Sequence, residues 1–470
     1  MGYFSEKKFG MGLMAVGLAF GLSVGTADQV RAQSLADAMV AAFQNSPELA
    51  AARSDVKVRS EQAVQARAGG RLQVDADLSA EAFTATKTGA DTPNFPTSAS
   101  VSLVQPLYTG GQVENSTEAA ETRISAQEAA LLATEEQVLL DTVTAYSDVR
   151  RDAALVSIAR NNVRVLNEQL RAARERFEVG EVTRTDVEQA RSRLAAARSR
   201  LAATTGALAV SREAYRRVVG VYPTDLQPLP PLPDVPATLD QAVAISLRDD
   251  PNVIAARLER VAASSDVRAA IGALLPQVSL RGSVGAGNTF EDGNSGRDGE
   301  FGRVGLFVNI PLYTGGFNYS NVREAQALAE GASADINTAM RAAVQNTGIA
   351  WANLEVARAS IKAGRLEVSA AQLAFDGVRE EAKVGARTTL DVLDAEQEVL
   401  EARSGLTTSR RDEYVAAYAL LASIGKLTVD HLGLDVGADA DDPNYYETVR
   451  NRNFGYDKSD DTVWKHSLRP

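Results

Sequence analysis

Pro106-Leu107-Tyr108-Thr109-Gly110-Gly111 returns as Pro311-Leu312-Tyr313-Thr314-Gly315-Gly316, 205 residues further along the chain. The same offset carries Tyr146 onto Trp351, Gly180 onto Gly385, Thr183 onto Thr388, Asp186 onto Asp391 and Val187 onto Val392. Upstream, Leu35 maps to Leu239, Pro47 to Pro251 and Gln73 to Gln277 at an offset of 204. One residue of slippage over two copies of this length marks a duplicated structural unit, and so long a period excludes a solenoid of short repeats.

Periodicity orders the elements within each copy. A helical stretch opens it, at residues 35–69 and again at 239–274. Strands follow. Residues 74–82 alternate apolar and polar side chains, Ala99, Val101 and Leu103 alternate with Ser98, Ser100 and Ser102, and Val278, Leu280 and Val284 alternate with Ser279, Arg281 and Ser283. Val304, Leu306, Val308 and Ile310 share one face of the last strand. Period two with one apolar face is the strand signal. Runs of about ten residues are also long enough for a tilted strand to cross a bilayer. The connections, one holding Gly89, Pro93 and Pro96 and the other spanning 291–300, read as polar loops. Alternation alone leaves open a soluble pair of hairpins packed on helices.

Between Gly111 and Gly180 there is neither Pro nor Gly. At ~1.5 Å per residue this predicts a helix of roughly 100 Å. The second copy has no Pro between Gly316 and Gly385. A return helix follows each, over 183–219 and 388–424. It carries a heptad seam: Val187, Leu194, Leu201, Leu208 and Tyr215 in the first copy, Val392, Val399, Leu406 and Leu420 in the second, where Glu413 interrupts. Seven-residue spacing coils neighbouring helices around each other. Helices this long cannot fold into one globule and call for lateral partners. The domain reading is therefore a first repeat over 33–225, a stiff Pro-rich linker over 226–237, a second repeat over 238–427, and an acidic tail over 428–470, expected to be largely disordered.

Composition narrows function. Lys7 and Lys8, an apolar run over 11–24 and Val30-Arg31-Ala32 read as a secretory signal over 1–32, with the mature chain starting at Gln33. The net charge of −12 argues against nucleic acid as a partner. The chain has no Cys, hence no disulfide framework and no N-terminal lipid on Cys. Its two histidines, His431 and His466, both lie in the tail, so no histidine-based metal site or nucleophilic triad can be built. Gly282-x-x-Gly285-x-Gly287 lies in a strand pattern and is no phosphate loop. The expectation is neither an enzyme nor a cofactor protein. No later apolar run is long enough for a membrane helix, so membrane contact by the mature chain would have to be through strands. Four strands cannot close a barrel. Two chains give eight strands and an interior filled by side chains, whereas three give twelve and room to conduct.

This layout resembles the TolC family of outer-membrane channel proteins. The resemblance rests on the paired Pro-Leu-Tyr-Thr-Gly-Gly segments, Asn45-Ser46-Pro47, Phe177-Glu178-Val179-Gly180 followed by Thr185-Asp186-Val187, and the run from Val384-Gly385-Ala386-Arg387 to Ala395. It implies a homotrimer in the outer membrane of a Gram-negative bacterium. Each chain would give four strands to a 12-stranded transmembrane β-barrel and its helices to a periplasmic α-barrel tunnel. Pro106, Gly110, Gly111, Pro311, Gly315 and Gly316 would link barrel to tunnel. The implied partners are outer-membrane lipid, a periplasmic membrane-fusion adaptor and an inner-membrane ABC transporter or drug pump. Asp441 to Val449, with Phe454-Gly455 behind them, look like the C-terminal end of type I secretion members, which favours protein export over drug efflux. A periplasmic coiled-coil scaffold remains the reading from a different class.

In the family, links between neighbouring helical tips close the periplasmic entrance. Carried over by position, Arg387 is the cation, with Thr185 and Asp186 as its partners. The tyrosine that the family places three residues before the second tip glycine is Ala382 here. Asp391 and Asp394 match the acidic constriction, where crowded carboxylates would favour cations and raise one another's pKa. The residues also allow a plainer account. Thr183-x-x-Asp186 and Thr388-x-x-Asp391 are capping-box patterns, Gly180 and Gly385 are helix C-caps, and Arg387 by default is a solvated turn residue. Asp394 has no capping role, and its first-copy counterpart is Gln189.

Overall fold

The computed structural model describes residues 33–87, 90–94, 97–289, 297–437 and 445–452. The expected signal, and the residues of the two strand loops and the tail that fall between these ranges, lie outside the described residues.

Each opening helical stretch is broken by proline. Helix α1 (Leu35–Asn45) ends at Ser46, whose ψ of 121° suits a residue preceding proline. Helix α2 (Pro47–Ala68) then starts with Pro47 at its first position and the Ser46 hydroxyl accepting from Leu49 N. Strands β1 (Gln73–Ala80), β2 (Phe83–Lys87), β3 (Ala90–Asn94) and β4 (Thr97–Tyr108) follow, then α3 (Gln112–Glu178) and α4 (Arg184–Val219). The second copy runs α5 (Leu239–Asp249), α6 (Pro251–Gly272), β5 (Gln277–Thr289), β6 (Arg297–Asn309), α7 (Phe317–Lys383) and α8 (Thr389–Ser423). Helices α3 and α7 are both 67 residues long, as the absence of proline predicts.

Three features depart from the sequence reading. The connection holding Gly89, Pro93 and Pro96 contains a second hairpin, β2 on β3, with Pro93 opposite Thr84. Strand β4 runs through Pro106 to Tyr108, with a register shift between those two residues, because β5 lies beside it. Strand β6, at the sheet edge, stops at Asn309, before Pro311. Third, parts of the tail are ordered: α9 (Val429–Leu432) joins the main core through Val429, whose amide donates to Glu135 of α3, and α10 (Tyr445–Val449) packs on α2, with Val429 and Val449 both buried.

The four long strands form one antiparallel sheet in the order β1-β4-β5-β6. The helices pack side by side below it. The main core lies midway along them, where α1, α3, α4, α5, α7 and α8 meet around the fully buried Tyr146 and Tyr215, whose rings are 6.4 Å apart. The Tyr146 hydroxyl donates to the carbonyls of Gln33 and Gln227, and Arg150 donates to that of Leu226. The Pro-rich linker is thereby pinned to α3 rather than held free. The heptad seams are buried as predicted at Leu194, Leu208, Tyr215, Val392, Val399 and Leu420. At Glu413 the seam is interrupted by an ion pair with Arg358, 3.8 Å away.

Among the described residues three carboxyls are buried, Glu136, Asp152 and Asp250. Glu136 on α3 is only 5% exposed and accepts from Leu427 N at 3.3 Å, while its neighbour Glu135 accepts from Val429 N at 2.7 Å. Together they fasten the chain leaving α8 to α3. Burial pushes the Glu136 carboxyl up to about 9, with Asp250 and Glu135 adding repulsion and Lys426 and the Leu427 amide opposing. The folded state therefore holds a proton that the unfolded chain releases above its ordinary value of 4.5. Stability attributable to this proton is present at low pH and is lost as pH rises toward 9, with a slope of at most about 1.4 kcal/mol per pH unit. Unfolding midpoints measured between pH 5 and 9 should fall more steeply for the wild type than for Glu136→Gln, and parallel curves would refute this account.

Candidate functional site

The sheet has two chemically distinct faces. The register places Val74, Ala76 and Leu78 of β1, Val101 and Leu103 of β4, Leu280 and Val284 of β5, and Val304 and Leu306 of β6 on one side. That side meets no core: Leu78 is 85% and Val304 80% exposed. The other side carries Asp75, Asp77, three serines of β4, Arg281 and Arg303. Phe301 and Phe307 also lie on it, each under an arginine: Arg303 stands 5.1 Å over Phe301 and Arg281 5.1 Å over Phe307. Each ring also covers a glycine, where a Cβ at Gly285 would meet Phe301 and one at Gly305 would meet Phe307. The outer edges of β1 and β6 are unpaired among the described residues.

The repeated Thr-Gly-Gly segments turn strand into helix, with all four glycines at φ between 63° and 86°. Their surroundings differ. At Gly110 a Cβ would lie 2.4 Å from the Gly272 carbonyl oxygen, because the start of α3 and the end of α6 touch backbone to backbone. A Cβ at Gly315 or Gly316 would meet nothing within 4 Å beyond its chain neighbours. The helices repeat this asymmetry. Helix α3 packs between α2 and α6, and α6 between α3 and α7, whereas among the described residues α2 meets beyond α3 only the short α10, and α7 meets beyond α6 only α5 and α8 of its own copy. Uncovered α7 exposes Leu328, Ile349, Val356, Leu366 and Leu373, and α2 exposes Val58.

At the far end, each helix pair reverses through a Schellman turn. Glu181 N donates to Arg176 O and Ala386 N to Glu381 O, with Gly180 and Gly385 left-handed at φ 78° and 79°. Thr183 and Thr388 then cap the return helices in complete capping boxes with Asp186 and Asp391. Within one chain the Thr388 amide and hydroxyl bonds, helped by Arg387, hold the Asp391 carboxyl below its usual range. Arg387 donates to Glu381 of its own hairpin at 2.8 Å and, among the described residues, is not bonded to Thr185 or Asp186. Asp394 also has a partner. It is ion-paired to Arg193 of α4, and Arg200 approaches Glu401 at 4.0 Å one heptad further on. Sequence reasoning missed this two-rung ladder, although the matched seven-residue spacings were its signal. Val179 and Val384, at the turns, are 70% and 81% exposed.

A groove of about 610 Å³ above the tips is lined by α3, α7 and α8 and holds Glu396. One oxygen of Glu396 is buried without a partner among the described residues, and burial pushes the carboxyl up to about 7. Among the described residues no group of His, Cys, Asp and Glu is placed to hold a metal ion, and no helix is long and apolar enough to cross a membrane.

Comparison with known proteins gives one consistent result. The family model described as outer membrane efflux protein matches twice, over residues 38–221 and 243–426. The outer membrane efflux protein BepC of Brucella suis biovar 1 (strain 1330) is 34% identical over 443 residues, covering 94% of this chain and 96% of BepC. The outer membrane protein TolC of Salmonella enteritidis is 26% identical over 385 residues, covering 80% and 78%. Among solved structures, that of CusC, described in terms of transmembrane channel formation, superposes with a TM-score of 0.74 at 20% identity, covering 84% of this chain and 92% of CusC.

Proposed function

The chain belongs to the outer membrane efflux protein family, and from that premise we propose that three copies close into a duct through the periplasm and outer membrane, gated at its helical tips. Members of this family are transporters, not enzymes. One observation carries the reading: a four-stranded sheet with an exposed apolar face and two unpaired edges sits on helices whose outer flanks are also uncovered. Lipid does not tolerate open strand edges, so the sheet must close with other copies, and twelve strands leave a lumen that eight do not.

The two free flanks are different surfaces, so each copy meets the next head to tail, and such contacts form a ring when the rotation closes. The duplication supplies the geometry. Within one chain, Arg123 of α3 pairs with Asp266 and, at 3.6 Å, with Glu259 of α6, beside the buried Ala262. The repeat offsets put Leu328 of α7 in the place of Arg123, and Val58 of α2 in the place of Ala262. Both are exposed in the single chain, at 65% and 53%. The places of Glu259 and Asp266 fall to Asp55 and Gln62 of α2, so the contact between copies would lose the arginine of the ionic pairing and set Leu328 near Val58.

The ladder Arg193–Asp394 and Arg200–Glu401 ties the α3–α4 hairpin to the α7–α8 hairpin just above the tips. It would supply a link where Ala382 removes the family's tyrosine, and Arg387 would have to turn from Glu381 to reach Thr185 and Asp186 of a neighbouring tip. The exposed Val179 and Val384 offer an apolar landing for a periplasmic adaptor that couples the duct to an inner-membrane pump. The first reading of the cargo is protein, by type I secretion with an ABC transporter, supported by the ordered tail segment. The second is small-molecule efflux, favoured by the name of BepC.

Leu328→Asp should convert the assembled particle to single chains in light scattering, and an unchanged mass would remove α7 from the interface. In planar bilayers, wild type should give small cation-selective steps. Arg193→Ala with Arg200→Ala should enlarge them more than Arg387→Ala does, whereas equal steps in all three would leave the ladder without a gating role. Deleting the gene should abolish appearance of ABC-exported protein in the medium. Loss of resistance to dyes and detergents with secretion intact would instead select the efflux reading.

A further inference from the structure

A second site lies at the opposite end of the helices, immediately beneath the sheet. A cleft of about 450 Å³ opens where α2 ends, α3 begins and the tail segment crosses them. Three arginines line it, Arg67, Arg71 and Arg450, together with Glu114, Glu118 and Glu121. The tail is held there by specific bonds. Tyr445 donates to Glu61 at 2.9 Å, Tyr446 donates to Glu121, Arg71 donates to the Arg450 carbonyl, and Val449 is buried. The Gly70 carbonyl on the cleft wall accepts from Gln105 of β4 at 3.0 Å, which fixes its height just below the strands.

Two donors on this wall are unused. Arg450 Nε–H and the Thr117 hydroxyl are buried with no hydrogen-bond partner among the described residues. Arg450 spends Nη1 on Glu447 at 2.9 Å and keeps Nε unused; buried donors without partners call for an acceptor, and guanidinium groups gathered on one wall favour an anion with several oxygens. The acidic side chains are only partly committed: Glu118 takes Arg268 at 2.7 Å, and Glu114 takes the Thr109 hydroxyl at 3.3 Å. Both remain exposed at the mouth. The cleft thus offers a cationic wall beside an anionic rim, immediately below the strands.

We propose that this cleft binds the headgroup of a zwitterionic phospholipid, its phosphate on Arg67, Arg71, Arg450 and Thr117 and its primary ammonium toward Glu114 and Glu118. A phosphate ester is the shared chemistry, and a free phosphate ion is its other source. The inference rests on the outer-membrane placement of the sheet. Its test is native mass spectrometry of the assembled protein in detergent, titrated with phosphatidylethanolamine, phosphatidylglycerol and inorganic phosphate. Wild type should retain one phosphatidylethanolamine per chain in preference to phosphatidylglycerol and against excess inorganic phosphate. Arg67→Gln with Arg450→Gln should weaken retention about tenfold or more at unchanged assembled mass and unit conductance. If that double variant fails to assemble, Thr117→Val, which leaves every charge in place, decides by the same titration. Equal retention by variant and wild type, indifference between the two lipids, or displacement by inorganic phosphate would each overturn the proposal. A protein that conducts normally but holds no lipid would sink this inference alone and leave the duct standing.

Discussion

A sheet with an exposed apolar face and two unpaired edges cannot exist alone in lipid, and the rest of this molecule is arranged around that constraint. Every backbone group inside a bilayer needs a partner within protein. Four strands satisfy three ladders and leave two edges open. The helices below inherit the same incompleteness, because each strand pair continues into helices set side by side in the same order. What looks like excess exposed hydrophobicity in one chain, from Leu78 and Val304 down to Leu328 and Leu373, is one continuous surface awaiting lipid on its outer face and further copies on its flanks.

The duplication shows how one chain encodes both a contact within itself and a contact with its neighbour. Gly110 is crowded by the Gly272 carbonyl, while its repeat, Gly315, stands in open space with the same left-handed backbone. The two copies keep the strand-to-helix turn identical because its φ values require glycine in both. They differ in side chains along the helices, where the internal contact uses Arg123 with Asp266 and Glu259 and the outer one presents Leu328. An ionic contact within the chain can form during folding of the monomer. An apolar contact between chains matures when water is expelled on assembly.

Much of this was legible in the sequence, because long range order here rests on short signals. The doubled Thr-Gly-Gly turns, uninterrupted helices, heptad seams and period-two strands are local and were read correctly except at strand ends, where Ile310 falls beyond β6 and Arg297 to Glu300, read as loop, belong to it. Elements set by neighbours were not. The end of β4 depends on whether β5 lies beside it, and β2 with β3 makes a hairpin in a segment whose Gly and Pro content reads as loop. Ordering of 445–452 comes from Tyr445 and Tyr446 finding Glu61 and Glu121 more than 300 residues away, which no periodicity reveals. At the tips, the capping boxes were visible as Thr-x-x-Asp. The pairing of Asp394 with Arg193 required knowing that α4 and α8 lie adjacent.

The tip geometry also shows why capping and gating coexist. The caps on Thr183 and Thr388 hold each return helix at a fixed start, with their aspartates committed to backbone and hydroxyl donors. Those bonds are internal to one hairpin and need not change when hairpins move apart. Links between hairpins are of another kind. The pairs Arg193–Asp394 and Arg200–Glu401 are about half exposed, and such surface pairs contribute at most about 1 kcal/mol each. In a ring of three copies the two-rung ladder would occur three times, about six pairs in all, giving a closed state favoured by a few kcal/mol in total. A partner binding differentially to the open tips can reverse a preference of that size. A rigid cap inside each hairpin and weak, repeated links between hairpins together let the entrance move without unwinding the helices that form it.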